Sequence, residues 1–132
     1  MQSRTASCSC GQLRIEVHGE PLGVSVCHCL ACQRRTGSIF GVQARFPKSA
    51  VTIDGPSKEW VRVGDEGTHI HFHFCPTCGA TVYYTAAWME GFVALPVGAF
   101  ADPTFPPPRV AIYEARRHPW AVMPNLDCEH LD

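Results

Sequence analysis

An all-β domain of short antiparallel strands with little helix is the fold class this sequence predicts. Three observations carry that reading. Apolar and polar residues alternate with period two in stretch after stretch. Those stretches are rich in β-branched and aromatic residues. Gly, Pro, Asp and Asn interrupt them at short spacing, and no sustained helical period or nucleotide-type glycine fingerprint occurs anywhere.

The elements follow in order. "QLRIEVHG" sets Leu13, Ile15 and Val17 against polar partners, as a half-buried strand requires. "LACQRRTGS" is the one segment with room for a turn or two of helix. "SIFGVQARF" and "AVTIDG" read as strands. "THIHFHF" alternates Ile70, Phe72 and Phe74 with His69, His71 and His73. "ATVYYTAAW", "GFVALPVGAF" and "RVAIYEA" complete the strand set. The proline-rich "FADPTFPPPRV" is expected to be a surface loop.

The 132 residues suit one domain over 1–132, with a core over about 7–120 and a short C-terminal tail. Eleven Lys plus Arg stand against twelve Asp plus Glu, which argues against nucleic acid as a partner. No apolar run is long enough for a bilayer, so no membrane partner is expected. The opening "MQSRTASCSCG" has no apolar signal region, so a cytoplasmic, reducing setting is expected. There, clustered cysteines point to metal or catalysis before disulfides.

Seven of the eight cysteines are clustered: Cys8 and Cys10 in "CSCG", Cys27, Cys29 and Cys32 in "CHCLAC", Cys75 and Cys78 in "CPTCG". Such spacing is that of zinc sites. In the first and last clusters a glycine follows the final cysteine, as a tight turn aiming N–H groups at sulfur requires. Cys8, Cys10, Cys75 and Cys78 are therefore expected to form a closed, structural four-cysteine zinc site. The triplet lacks the closing glycine and a nearby fourth cysteine. Three protein ligands with an open position are the mark of a catalytic zinc. Cys128, in the tail "NLDCEHLD", is either an incidental thiol or the ligand that closes the triplet, with His130 as its neighbour.

The order CxCG, CHCxxCxRxxG, FCxxCG resembles the glutathione-dependent formaldehyde-activating (Gfa) family, which includes the centromere protein V type of domain. The likeness runs from Ser7 to about Trp120 and takes in "GQL", "GSIFGVQARFP", "FCPTCGATVYY", "LPVGAFADP" and "HPWAVMP". It implies a small zinc-stabilised β-tent of short β-sheets. It implies two zinc ions per chain, a structural one on Cys8, Cys10, Cys75 and Cys78 and a second on Cys27, Cys29 and Cys32. It further implies a carbon–sulfur lyase acting on a thiol–aldehyde adduct, with glutathione and formaldehyde as the pair.

Other residues carry weaker signals. Arg34 and Arg35 follow the triplet directly and suit a carboxylate of the thiol substrate, or the charge of the thiolates. His28 is expected to point away from the metal. The row His69, His71 and His73 reads as a partly solvated sheet face. Tyr83, Tyr84, Trp60 and Trp88 read as core or pocket walls. Two other classes compete with an enzyme: a non-catalytic zinc-binding interaction module, and a thiol redox sensor that releases zinc on oxidation. Assembly into a homo-oligomer is left open by the sequence.

Overall fold

The computed structural model describes residues 2–132 and is built of two sheets. Strands β1 (Ser3–Ser7), β2 (Arg14–His18) and β5 (Val51–Asp54) form a three-stranded antiparallel sheet in the order β1-β2-β5. The larger sheet holds β3 (Gly23–Cys27), β4 (Gly41–Pro47), β6 (Lys58–Val63), β7 (His69–Phe74), β8 (Thr81–Ala86), β9 (Phe92–Pro96), β10 (Val110–Ile112) and β11 (Glu129–His130). Its order is β11-β10-β3-β4-β9-β8-β7-β6. One short helix, α1 (Leu30–Thr36), follows β3. No helix among the described residues is long and apolar enough to cross a membrane.

Alternation in "QLRIEVHG" is realised fully: Leu13, Ile15 and Val17 have no exposed surface, while Arg14, Glu16 and His18 are exposed. They meet Val24, Ala44, Phe46, Val93 and Leu95 of the large sheet, so the core lies between the two sheets. Each such side chain removed from water contributes about 1.5–3 kcal/mol. The chain crosses from β5 to β6 through Gly55, which takes φ 104°. A Cβ there would stand 2.0 Å from the Gln12 carbonyl oxygen, so this crossing admits only glycine.

The all-β class is as expected, and several details differ. The large sheet is mixed, because β10 runs parallel to β3 and β11 parallel to β10. β1, β3 and β6 give no strand signal in the sequence, for different reasons. β1 is an edge strand that buries only Ala6 completely, and β6 is an edge strand with mostly exposed residues. β3 is buried on both faces, which erases alternation. The proline-rich segment is more than a surface loop. Phe100 and Phe105 are each 8% exposed, with ring centroids 4.7 Å apart, and they pin the connection into the core. Trp88 is 61% exposed, neither core nor pocket wall as expected of it.

Candidate functional site

Two turns of matching design build the four-cysteine cluster. After β1, Cys8 N–H donates to Leu13 O, Gly11 N–H donates to Cys8 O, and Leu13 N–H donates to Cys8 Sγ at 3.2 Å. After β7, Cys75 N–H donates to Ala80 O, Gly79 N–H donates to Cys75 O, and Thr77 N–H donates to Cys75 Sγ at 3.4 Å. Gly11 and Gly79 take φ 83° and 81°, the left-handed conformation expected from "CSCG" and "CPTCG". The sulfurs of Cys8, Cys10, Cys75 and Cys78 all lie within 4.8 Å of one another.

This donor set fits a tetrahedral metal ion. With a Zn–S bond of about 2.3 Å, the edge of a sulfur tetrahedron is about 3.8 Å. Cys8 Sγ stands 3.7 Å from Cys10 Sγ, and Cys10 Sγ stands 3.6 Å from Cys75 Sγ. The Ala80 and Cys10 backbone N–H groups hold Cys78 down to about 6, so one member of the set is already poised as thiolate. Cys8 and Cys75 are buried in the core and Cys10 and Cys78 are exposed, so the cluster runs from the core to the surface.

The triplet is built at the β3–α1 junction. Cys27 ends β3 and is buried, Cys29 is the N-cap of α1, and Cys32 lies in the first turn of α1. Cys29 Sγ accepts the Cys32 N–H at 3.3 Å, the role an Asp or Ser oxygen plays at other helix starts. The three sulfurs lie within 4.8 Å. Thiols this close cannot all ionise without a cation among them. Hydrogen bonds from Cys27 and Cys32 pull Cys29 down to about 2, while bonding to Cys29 and Cys32 pushes Cys27 up. Three soft donors, one of them a ready thiolate, fit zinc as well. Neither Cys128 nor His130 belongs to this cluster.

A pocket of about 440 Å³ opens beside Cys32, lined by Ala31, Arg34 and Arg35 of α1, Trp60 and Arg62 of β6, and Phe72 of β7. Its lining holds no carboxylate. The Arg35 guanidinium lies over the rings of Phe72 and Tyr84, at 5.3 and 5.6 Å. None of the three arginines forms an ion pair among the described residues, and Arg62 Nε is buried without a hydrogen-bond partner. Trp60 stacks on Phe72 at 5.9 Å while remaining 53% exposed.

Arg34 and Arg35 thus line the pocket beside Cys32. Arg62 carries no signal in the sequence; only the β6–β7 pairing brings it opposite α1. Gln33 is a second omission: its side-chain N–H donates to His28 O and Arg116 O, and its oxygen meets His118 Nε2. His28 is 1% exposed and lies outside the metal cluster, as expected of it. In the histidine row, His71 and His73 meet Glu59 at 3.0 and 3.4 Å, and His73 stacks on Tyr83, so these two histidines are engaged with their neighbours on a partly solvated face.

The family model described as glutathione-dependent formaldehyde-activating enzyme matches residues 3–116. The chain belongs to this family. A crystal structure of a Rhodobacter sphaeroides protein is similar to this Gfa member in fold, with a TM-score of 0.56 and 22% identity, over 72% of this chain and 85% of that one. No curated protein matches the Gfa chain.

Proposed function

We propose that this Gfa-family protein is a zinc-dependent carbon–sulfur lyase-type enzyme, which makes and breaks the adduct of glutathione, or a similar acidic thiol, with formaldehyde. The observation that carries the reading is one pocket in which Cys32 of the triplet adjoins three guanidinium groups that form no ion pair among the described residues. Cys8, Cys10, Cys75 and Cys78 hold the structural ion in this reading. Cys27, Cys29 and Cys32 hold the second. Zinc there supplies acidity to a thiol, so that thiolate is present at neutral pH.

The chain's own groups orient the substrate. Arg34, Arg35 and Arg62 bind its carboxylates through paired N–H donors, and Trp60 and Phe72 cover its backbone. Fixing both ends of the thiol leaves its sulfur beside Cys32, where the aldehyde carbon must approach. In synthesis the sulfur–carbon bond forms and the thiol proton ends on the carbonyl oxygen; lysis is the reverse. Arg35, held against Phe72 and Tyr84, also offsets the charge of the thiolates.

Exchange of ¹³C-formaldehyde between its hydrate and its glutathione adduct, followed by NMR, tests the reading. The zinc-loaded protein is expected to raise the exchange rate above the spontaneous one, and Cys29→Ser to return it to that level. A protein with two zinc ions per chain and no effect on exchange would sink the lyase reading.

A further inference from the structure

A second thiol site lies at the C-terminal edge of the large sheet, apart from both cysteine clusters. The parallel β10–β11 pairing sets Ala111 beside His130. Glu114 N–H donates to Leu131 O at 2.9 Å, and Leu131 N–H donates to Ala111 O at 2.8 Å, so the tail is tied to the β10 edge by its backbone. In this register His130 Nδ1 meets Glu114 Oε1 at 2.5 Å, and its Nε2 stands 3.9 Å from Cys128 Sγ. Thiol, imidazole and carboxylate therefore stand in line, the arrangement of an activated nucleophile. The Glu114 side chain is 16% exposed, and its second oxygen is 3.7 Å from Arg117 Nε. Cys128 and His130 lie beyond residue 116, where the match to the family ends.

The thiol faces a pocket of about 270 Å³ with largely apolar walls, among them Val26, Met123 and Leu126. His28 lines the same pocket. It is 1% exposed, and its Nδ1 is buried with no partner among the described residues. A buried imidazole nitrogen left unpaired is unfavourable, and a ligand oxygen or hydroxyl in the pocket would satisfy it.

We propose that Cys128 is a nucleophile for a short aliphatic aldehyde bound in this pocket, with His130 as general base and Glu114 as the residue that positions it. Glu114 is already met by His130 and Arg117, so no charge is left over for an ionic ligand. The volume excludes anything as large as a peptide disulfide. Burial, with the Glu114 and Asp127 carboxylates, pushes the Cys128 thiol up, so it rests protonated and depends on His130 to take the proton. The sulfur bonds to the carbonyl carbon, and the π pair of the carbonyl moves to oxygen. The S–H proton passes to His130 Nε2 and then to that oxygen. The product is a hemithioacetal on Cys128; nothing leaves and nothing is oxidised.

The test is the rate at which iodoacetamide alkylates Cys128 in the zinc-loaded full chain, read site by site by mass spectrometry against a synthetic peptide of residues 121–132. Cys128 is expected to react at least about tenfold faster than the peptide, a threshold set below the roughly 10²–10⁴-fold that general-base assistance can give. Propanal is expected to protect it saturably, at concentrations that leave the peptide's rate unchanged. His130→Gly should lose the advantage and regain it with added imidazole, and Glu114→Gln should lower it. Should His130→Gly melt early, His130→Gln is read in its place. Equal rates for chain and peptide, or an unchanged rate without His130, overturn the nucleophile; rapid alkylation without protection by propanal overturns the aldehyde.

Discussion

At the scale of single residues, the pocket beside Cys32 turns on guanidinium groups that form no ion pair among the described residues. An arginine whose Nε is buried and unpaired is held ready for an anion, because the cost of stripping its water has already been met by folding. Arg35→Ala and Arg62→Ala are each expected to weaken glutathione binding by about 1.5–3 kcal/mol, roughly ten- to a hundredfold, at unchanged zinc content. Titration calorimetry with parallel metal analysis checks both, and unchanged affinity in both would remove the pocket from the substrate's path. Gly55 is the opposite kind of residue, needed for its lack of a side chain. Gly55→Ala joins a left-handed φ to an overlap with Gln12 O, so a loss of about 1–3 kcal/mol or more is expected in urea unfolding.

At the scale of elements, the two cysteine clusters differ in what they join. The four-cysteine cluster ties the turn after β1, in the small sheet, to the β7–β8 turn of the large sheet, and two of its sulfurs belong to the core. The triplet joins only the end of β3 to the helix that directly follows it. Structural zinc is worth roughly 10–16 kcal/mol in small peptides, more than most domains have in reserve. Cys75→Ser is therefore expected to give unfolded or insoluble protein. Cys29→Ser should stay folded, bind one zinc and lose activity. Equal circular dichroism and equal melting temperatures for the two variants would erase the distinction between the sites.

At the scale of the whole molecule, the tail is a separable addition to the sheet. β11 contributes two residues to one edge, and its cysteine and histidine belong to the Glu114 pocket, not to the triplet. A chain ending at Asn125 is expected to keep two zinc ions and its glutathione affinity, at a slightly lower melting temperature. Metal analysis and calorimetry on that chain decide the matter, since loss of the second zinc would make the tail a ligand after all. The Cys128 site would be lost with the tail in either case.

The cysteine clusters were legible because metal turns are local. Sulfur, turn glycine and backbone donors lie within a few residues, so "CSCG", "CPTCG" and "CHCLAC" state their geometry directly. Leu13, Ile15 and Val17 were legible because a sheet with one buried face writes period two into its strand. Strand β3 was hidden because both its faces are buried, and β1 and β6 because edge strands need few apolar residues. Arg62 and the Cys128–His130–Glu114 line were beyond reach for a deeper reason. Each depends on which strand pairs with which, and in what register, and that is decided by the packing of the whole sheet. The sequence by itself determined the all-β class, the metal-type cysteine sets and the arginines beside the triplet. Tertiary structure alone decided the parallel edge, the third arginine and the placement of the last thiol, because contacts between distant residues follow from strand pairing and leave no local pattern.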